Sequence, residues 1–238
     1  GEMLLAYPEV FFVFLPELSP MQGFDTRRPQ NHCWDVWGHT AHAVDAIAPE
    51  PVLRLTMLFH DSGKPGTFRF DAQAGFGRFP GHPAISARIA DTALRRLRCD
   101  NATRERVITL VENHEMRTGH GKKDLRRLLA KIGEENMRDL LLVRRADAAA
   151  HAPEAAARLA VLAGEDERLL NEIIAEHGCL HVKDLAVSGN DLLSLGMKPG
   201  AAVGETLSRL LDLVLDEEIP NEKEALLAAA RKEIPKHE

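Results

Sequence analysis

From Trp34 onward the chain is a succession of helix-length stretches, their apolar residues on a 3.6-residue period and most of them closed by Gly or Pro. Asp35 can cap a first helix carrying Val36, His39, Ala43 and Ile47, stopped by Pro49 and Pro51. The next, about Val52 to His60, is apolar nearly all round and therefore central, and Gly63 and Pro65 end it. Between Thr67 and Phe79 the period changes to two around a turn-rich Asp71–Gly77, which predicts a short β-hairpin. Pro83 opens a helix to about Arg98, and Asn101 caps another carrying Val107, Leu110, Val111 and His114. After a polar loop from Met116 to Gly121, helices are expected from Lys123 to Ile132 and from Glu134 to His151, parted at Gly133. A long Ala/Leu helix runs from Pro153 to about His177. Shorter pieces follow, then a helix from Ala201 to Asp216 and a last one with Asn221-x-x-Glu224 as a capping box.

The expected fold class is mostly α with one short β-hairpin. The expected division is an irregular, proline-punctuated segment (1–30), a helical domain (31–152) and a smaller all-helical C-terminal region (153–238). The net charge of −6 argues against a protein that coats nucleic acid by charge alone. No apolar run approaches the roughly 20 residues that span a bilayer, so no membrane partner is expected. Cys33, Cys99 and Cys179 are widely spaced without a CxxC, which fits a reducing, cytoplasmic setting. Every Phe, Tyr and Trp lies at or before Phe79, so the remainder carries no aromatic platform of its own for stacking bases.

Chemistry concentrates at His39, the doublet His60-Asp61, His82, His114 and Asp147. His39 sits on the inner stripe between Val36 and Ala43. His114 ends the stripe of Val107, Leu110 and Val111, and Asp147 continues that of Leu140 and Val143. An ionised Asp on an apolar face requires a cation nearby. Either a metal or an arginine, Arg144 or Arg145, can supply it. His39, His60, Asp61 and Asp147 suffice for one ion, and His82 with His114 allow a second, with Asp61 bridging. Imidazole with carboxylate suits Ni, Co, Mn, Fe or Zn, with Mg admissible, more than Ca. Two ions about 3.5–4 Å apart can clamp a phosphate. Asp61 and Lys64 are the candidate catalytic residues, Lys64 as a point-charge contact to a phosphate. His32, His42, His120, His151, His177, His181 and His237 are read as ordinary packed or surface histidines. The clusters Lys122-Lys123, Arg126-Arg127 and Arg144-Arg145 are weak candidates for RNA contact, with a solvated helix surface at least as good a reading.

The order His39 … His60-Asp61 … Asp147 resembles the HD superfamily of metal-dependent phosphohydrolases, which implies an HD-domain helical bundle. With His82 and His114 it is similar to binuclear members. A closer resemblance covers nearly the whole chain. Phe24-Asp25-x-Arg27-x-Pro29, Asp35-Val36-Trp37-x-His39-Thr40, Leu58-x-His60-Asp61-x-Gly63-Lys64-Pro65, Gly81-His82-Pro83 and Arg144-x-Ala146-Asp147 look like the C-terminal half of bacterial CCA-adding tRNA nucleotidyltransferases and related poly(A) polymerases. So does the run Val187-x-Gly189-x-Asp191-Leu192-x-x-Leu195-Gly196-x-Lys198-Pro199-Gly200-x-x-x-Gly204. Two departures stand out: Gly38 where relatives often place an acid, and Ser62 in a slot that is usually aliphatic.

The resemblance implies a phosphomonoesterase or 2′,3′-cyclic phosphodiesterase acting on a phosphate ester, a nucleotide or an RNA 3′ end, with tRNA as a partner. The Gly-rich turn and paired Asp of the family's polymerase head have no counterpart here, so nucleotide addition by this chain alone is not expected. Two alternatives are a non-catalytic RNA-positioning module of a larger tRNA-processing enzyme and a binuclear iron oxygenase.

Overall fold

The computed structural model describes residues 1–26, 33–115, 121–176 and 178–232. It is mostly α, with a single two-stranded sheet among the described residues. In chain order the helices are α1 (Glu2–Ala6), α2 (Pro8–Phe14), α3 (Val36–Ala46), α4 (Pro51–Phe59) and α5 (Lys64–Thr67). After the strands β1 (Arg69–Asp71) and β2 (Phe76–Arg78) come α6 (His82–Arg96), α7 (Asn101–Asn113), α8 (Lys122–Ala149) and α9 (Pro153–Ala175). The chain ends with α10 (Gly189–Ser194), α11 (Ala201–Leu215) and α12 (Lys223–Arg231). The strands pair antiparallel with Phe70 opposite Gly77, the hairpin expected from the period of two.

The first residues depart from expectation. Instead of an irregular segment they form α1, α2 and a 3₁₀ turn over Pro16–Met21. Pro8 and Pro16 each stand at a helix start, where a missing N–H leaves no bond unmade. These prolines therefore begin helices. The segment is tied to α3 by the Trp37 indole, whose Nε1 donates to the Leu4 carbonyl at 3.2 Å.

Two caps also differ. Asp100, not Asn101, caps α7, its Oδ1 accepting from Thr103 N at 2.9 Å. Asn221 makes no capping box. Its side chain accepts from Ala186 N at 2.8 Å and donates to Asp184 O at 2.9 Å, pinning a loop 35 residues upstream. Asp35 does cap α3, accepting from Gly38 N at 2.6 Å.

The chain forms two compact units. One comprises Gly1–Gly119 with Glu134–Glu167, the other His120–Gly133 with Arg168–Glu238. The expected boundary at 152/153 falls inside the first. The break in α8 is at Gly133, whose φ of 80° and ψ of 165° lie outside helical values. In the first unit α6 packs on α7, and α4 lies between α7 and α3. Met57, Phe59, Leu94, Leu110, Met137 and Leu140 are fully buried there. Each such side chain contributes about 1.5–3 kcal/mol relative to exposure. The second unit closes around Leu192, Leu210 and Leu226, with Leu185, Val187 and Ala230 beside them. Among the described residues no helix is long and apolar enough to cross a membrane.

Candidate metal centre

The centre lies within the first unit, where α4 ends. Phe59 is the last residue of α4, and the chain turns through His60, Asp61, Ser62 and Gly63 into α5. The turn is held by Ser62 Oγ donating to Phe59 O at 2.8 Å and by Lys64 N donating to Asp61 O at 3.0 Å. Gly63 is required by a close approach. A Cβ there would stand 2.6 Å from the His82 carbonyl and 2.8 Å from Ser86 N. The Gly63 N–H donates instead to Ser86 Oγ at 2.8 Å, joining the turn to the start of α6. Gly81, at φ 72° in the left-handed region, swings the chain so that His82 opens α6 facing inward.

Four helices thus deliver His39 (α3), His60 and Asp61 (end of α4), His82 (start of α6) and His114 (end of α7), each 7% exposed or less. Asp147 arrives from α8, with 30% of its side chain exposed. His39, His60 and Asp61 offer ligand atoms all within 4.8 Å of one another, and so do Asp61, His82 and His114. Asp147 Oδ1 stands 2.8 Å from His39 Nε2 and 3.5 Å from His60 Nε2.

The two oxygens of Asp61 face different partners. Oδ2 is 3.3 Å from His60 Nε2 and 3.7 Å from His39 Nε2. Oδ1 looks the other way, 3.3 Å from His82 Nε2 and 3.7 Å from His114 Nε2. Oδ1 is buried and makes no hydrogen bond among the described residues. An orphaned, buried carboxylate oxygen is costly unless a cation fills the space before it.

The imidazoles point to the same conclusion. Each contacts a backbone carbonyl through Nδ1: His60 to Met57 O at 2.6 Å, His114 to Val111 O at 2.7 Å, His82 to Phe79 O at 3.1 Å and His39 to Ala150 O at 3.3 Å. A carbonyl can only accept, so each Nδ1 carries a proton and each Nε2 faces inward. The inward nitrogens nearly meet: His39 and His60 Nε2 are 3.4 Å apart, His82 and His114 Nε2 3.2 Å. His39 and His60 use Nε2 to hydrogen-bond the Asp147 carboxylate. A metal at about 2.0–2.2 Å from each Nε2 would take the place of those protons. The residues present therefore fit one or two divalent ions, with Asp61 shared.

Electrostatics agree. Burial pushes the Asp61 carboxyl up, but His60 and Lys64 outweigh it and hold it well below the usual carboxylate range. Burial likewise raises Asp147, and hydrogen bonds from His39 and His60 overcome it. Burial lowers His60, yet the Asp61 and Asp147 carboxylates reverse that and raise it. The pocket holds negative charge and draws positive charge in. His114 is pushed down, chiefly by burial, toward the neutral form that ligates.

All six expected ligands come together, and the arginine alternative for Asp147 does not occur. Arg144 donates to Asp166 at 2.6 Å and Arg145 pairs with Glu167. Lys64 is placed differently from a free phosphate contact: its Nζ lies 2.6 Å from Asp61 Oδ2 and over the Phe79 ring. His151, read as ordinary, joins the centre, with a ligand atom within 4.8 Å of those of His39 and Asp147. Its Nδ1 contacts Asp147 O at 2.7 Å. The signal is its i+4 offset from Asp147, which puts it one turn on, in the bend just after α8 ends at Ala149. His42 stacks against Trp34, and His181 is exposed. His32, His120, His177 and His237 lie outside the described residues, as do Arg27 and Pro29.

The remaining basic candidates are paired. In the second unit Lys122 meets Glu176, Lys123 lies 3.0 Å from Asp216, Arg126 2.5 Å from Glu217, and Arg127 donates to Asp216 at 2.8 Å.

Comparison with known proteins gives the lineage. A family model described as tRNA nucleotidyltransferase domain 2, putative, matches residues 84–230, more than half of the chain. A CC-adding tRNA nucleotidyltransferase of Thermus thermophilus is 33% identical over 231 residues, covering 94% of this chain and 51% of that protein. An A-adding tRNA nucleotidyltransferase of Deinococcus radiodurans is 30% identical over 220 residues, covering 89% and 49%. The chain spans about half the length of these relatives. With a family model matched across most of its helices, the chain belongs to the tRNA nucleotidyltransferase domain 2 family.

Proposed function

We propose that this chain is a metal-dependent phosphohydrolase of the HD type, a phosphomonoesterase or 2′,3′-cyclic phosphodiesterase, acting on nucleotides or RNA 3′ ends. The observation that carries the reading is Asp61, its two oxygens turned to two imidazole pairs and one oxygen left without a donor. Bound divalent ions, from among Ni, Co, Mn, Fe, Zn or Mg, would supply Lewis acidity for a phosphoryl oxygen and for the attacking water. His39, His60, Asp61 and Asp147 would hold one ion, and His82, His114 and the other Asp61 oxygen a second. Lys64, whose Nζ is 2.6 Å from Asp61 Oδ2, would be available to a phosphate oxygen where a bound ion neutralised that carboxylate. Asp147, with its partly exposed side chain, marks where substrate reaches the centre. The relatives' names favour RNA 3′ ends and nucleotides as substrate, with tRNA as the larger partner.

The test is hydrolysis of p-nitrophenyl phosphate esters and 2′,3′-cAMP with Ni, Co, Mn or Mg added. Turnover should require metal and disappear in Asp61→Ala with the circular dichroism unchanged. Equal turnover in that variant would overturn the reading.

Membership of a tRNA nucleotidyltransferase family supports a second reading, an RNA-positioning module within a longer enzyme. It predicts a tRNA gel shift that weakens steeply with salt and is indifferent to Asp61→Ala.

A further inference from the structure

A groove lies beside the centre and shares only His151 with its ligand groups. It encloses about 530 Å³ and is lined in part by Trp34, His42, Ala149, Ala150, His151 and Pro153. That volume suits a small ligand. Among its lining residues His151 has a ring nitrogen within 4.8 Å of ligand atoms of His39 and Asp147. The groove therefore adjoins Asp147, whose side chain is 30% exposed.

Trp34 forms its wall. Trp34 is 48% exposed, unlike Trp37, which is 3% exposed. Its ring is nonetheless held in place, packed against His42 with centroids 4.4 Å apart and planes inclined by 35°. Gly38 makes room for it: a Cβ there would meet Trp34 Cβ at 3.1 Å. The chain thus keeps a large flat apolar ring fixed at the surface. Alanines and Pro153 add apolar walls, and the His42 imidazole adds a group able to donate or accept. An aromatic plane with a hydrogen-bonding group beside it is the chemistry that receives a nucleobase. His42 follows His39 by three residues, about 4.5 Å along α3 and on the same side of the helix.

We infer that this groove is a nucleobase subsite, in which the terminal base of a 3′-phosphorylated nucleoside stacks on Trp34 while its phosphate reaches past His151 to the centre. The inference rests on the phosphohydrolase reading for the phosphate and on the groove alone for the base. The ligand's source is a free nucleotide or an RNA end, which share this chemistry.

Calorimetric titration of the full chain with adenosine 3′-monophosphate tests it, with inorganic phosphate and a trinucleotide 3′-phosphate as further arms. Trp34→Ala should weaken adenosine 3′-monophosphate binding roughly tenfold, Trp34→Phe should restore most of it, and His42→Ala should lose part. Phosphate affinity should not change in any of them. A trinucleotide bound at least as tightly as the mononucleotide identifies an RNA end as the source, and weaker binding identifies the free nucleotide. No binding of adenosine 3′-monophosphate, or equal binding by wild type and Trp34→Ala, overturns the inference. Trp34-dependent binding with no hydrolysis of any ester keeps the subsite and removes the phosphohydrolase reading.

Discussion

Arg144 and Asp166 form a buried ion pair, N to O 2.6 Å, with side chains only 7% and 2% exposed. The pair joins α8 to α9 within the first unit. It also directs the one buried guanidinium near Asp147 in sequence away from the centre, so Asp147 meets imidazoles instead.

Breaking that pair from one side leaves a buried charge unmatched. Asp166→Ala should lower unfolding free energy by about 3–5 kcal/mol in urea titration, and the double replacement Arg144→Met with Asp166→Leu should recover most of it. A loss below 1 kcal/mol for the single variant would show that the charge reaches water.

Metal content follows from the two faces of Asp61. Elemental analysis of protein purified without chelator should find up to about two ions per chain. His82→Ala with His114→Ala should remove one, and Asp61→Ala both. Chelation should lower the melting temperature and added ion should restore it, because ions that bind only the folded site stabilise it. An unchanged metal content in Asp61→Ala would contradict a shared carboxylate.

Gly63→Ala places a methyl against backbone atoms that cannot step aside. The start of α6 must shift, and His82 with it. The variant should lose about 1–3 kcal/mol of stability. It should also lose metal from the His82 side before the His39 side, read by spectroscopic titration with Co.

Acid stability should report Asp216. Hydrogen bonding from Arg127, opposed by burial and aided by Lys123, holds its pKa at about 2 against an ordinary 3.8. A carboxyl depressed in the folded state stabilises fully above 3.8, and that contribution is lost as pH falls through about 2. Asp216→Asn should flatten the stability-versus-pH curve of the second unit in that window and leave its slope near neutrality alone. An identical acid limb would show the pair to be screened by solvent.

Helix order, the hairpin and the break at Gly133 were legible in the sequence, because 3.6- and 2-residue periods and turn residues are local signals. So were His39, His114 and Asp147, since a polar residue on an apolar stripe must face whatever the stripe faces. His60-Asp61 stands out as a doublet closing an apolar helix, and His82 as the residue before the helix-opening Pro83. Less legible were features fixed by neighbours distant in the chain. Pro8 and Pro16 start helices that pack on α3, Asn221 ties a loop 35 positions away, and His151 reaches His39 only once α8 is laid beside α3.

Sequence by itself determined which residues turn inward: periodicity assigns His39, His114 and Asp147 to buried faces whatever the final packing. Only the tertiary structure decided what they meet there. The direction each Nε2 faces depends on the carbonyl that its Nδ1 finds, Asp147's partner depends on where Arg144 is drawn, and Trp34 and His151 line one groove only because distant parts of the chain fold together. Those are contacts in space, and no spacing along a chain encodes them.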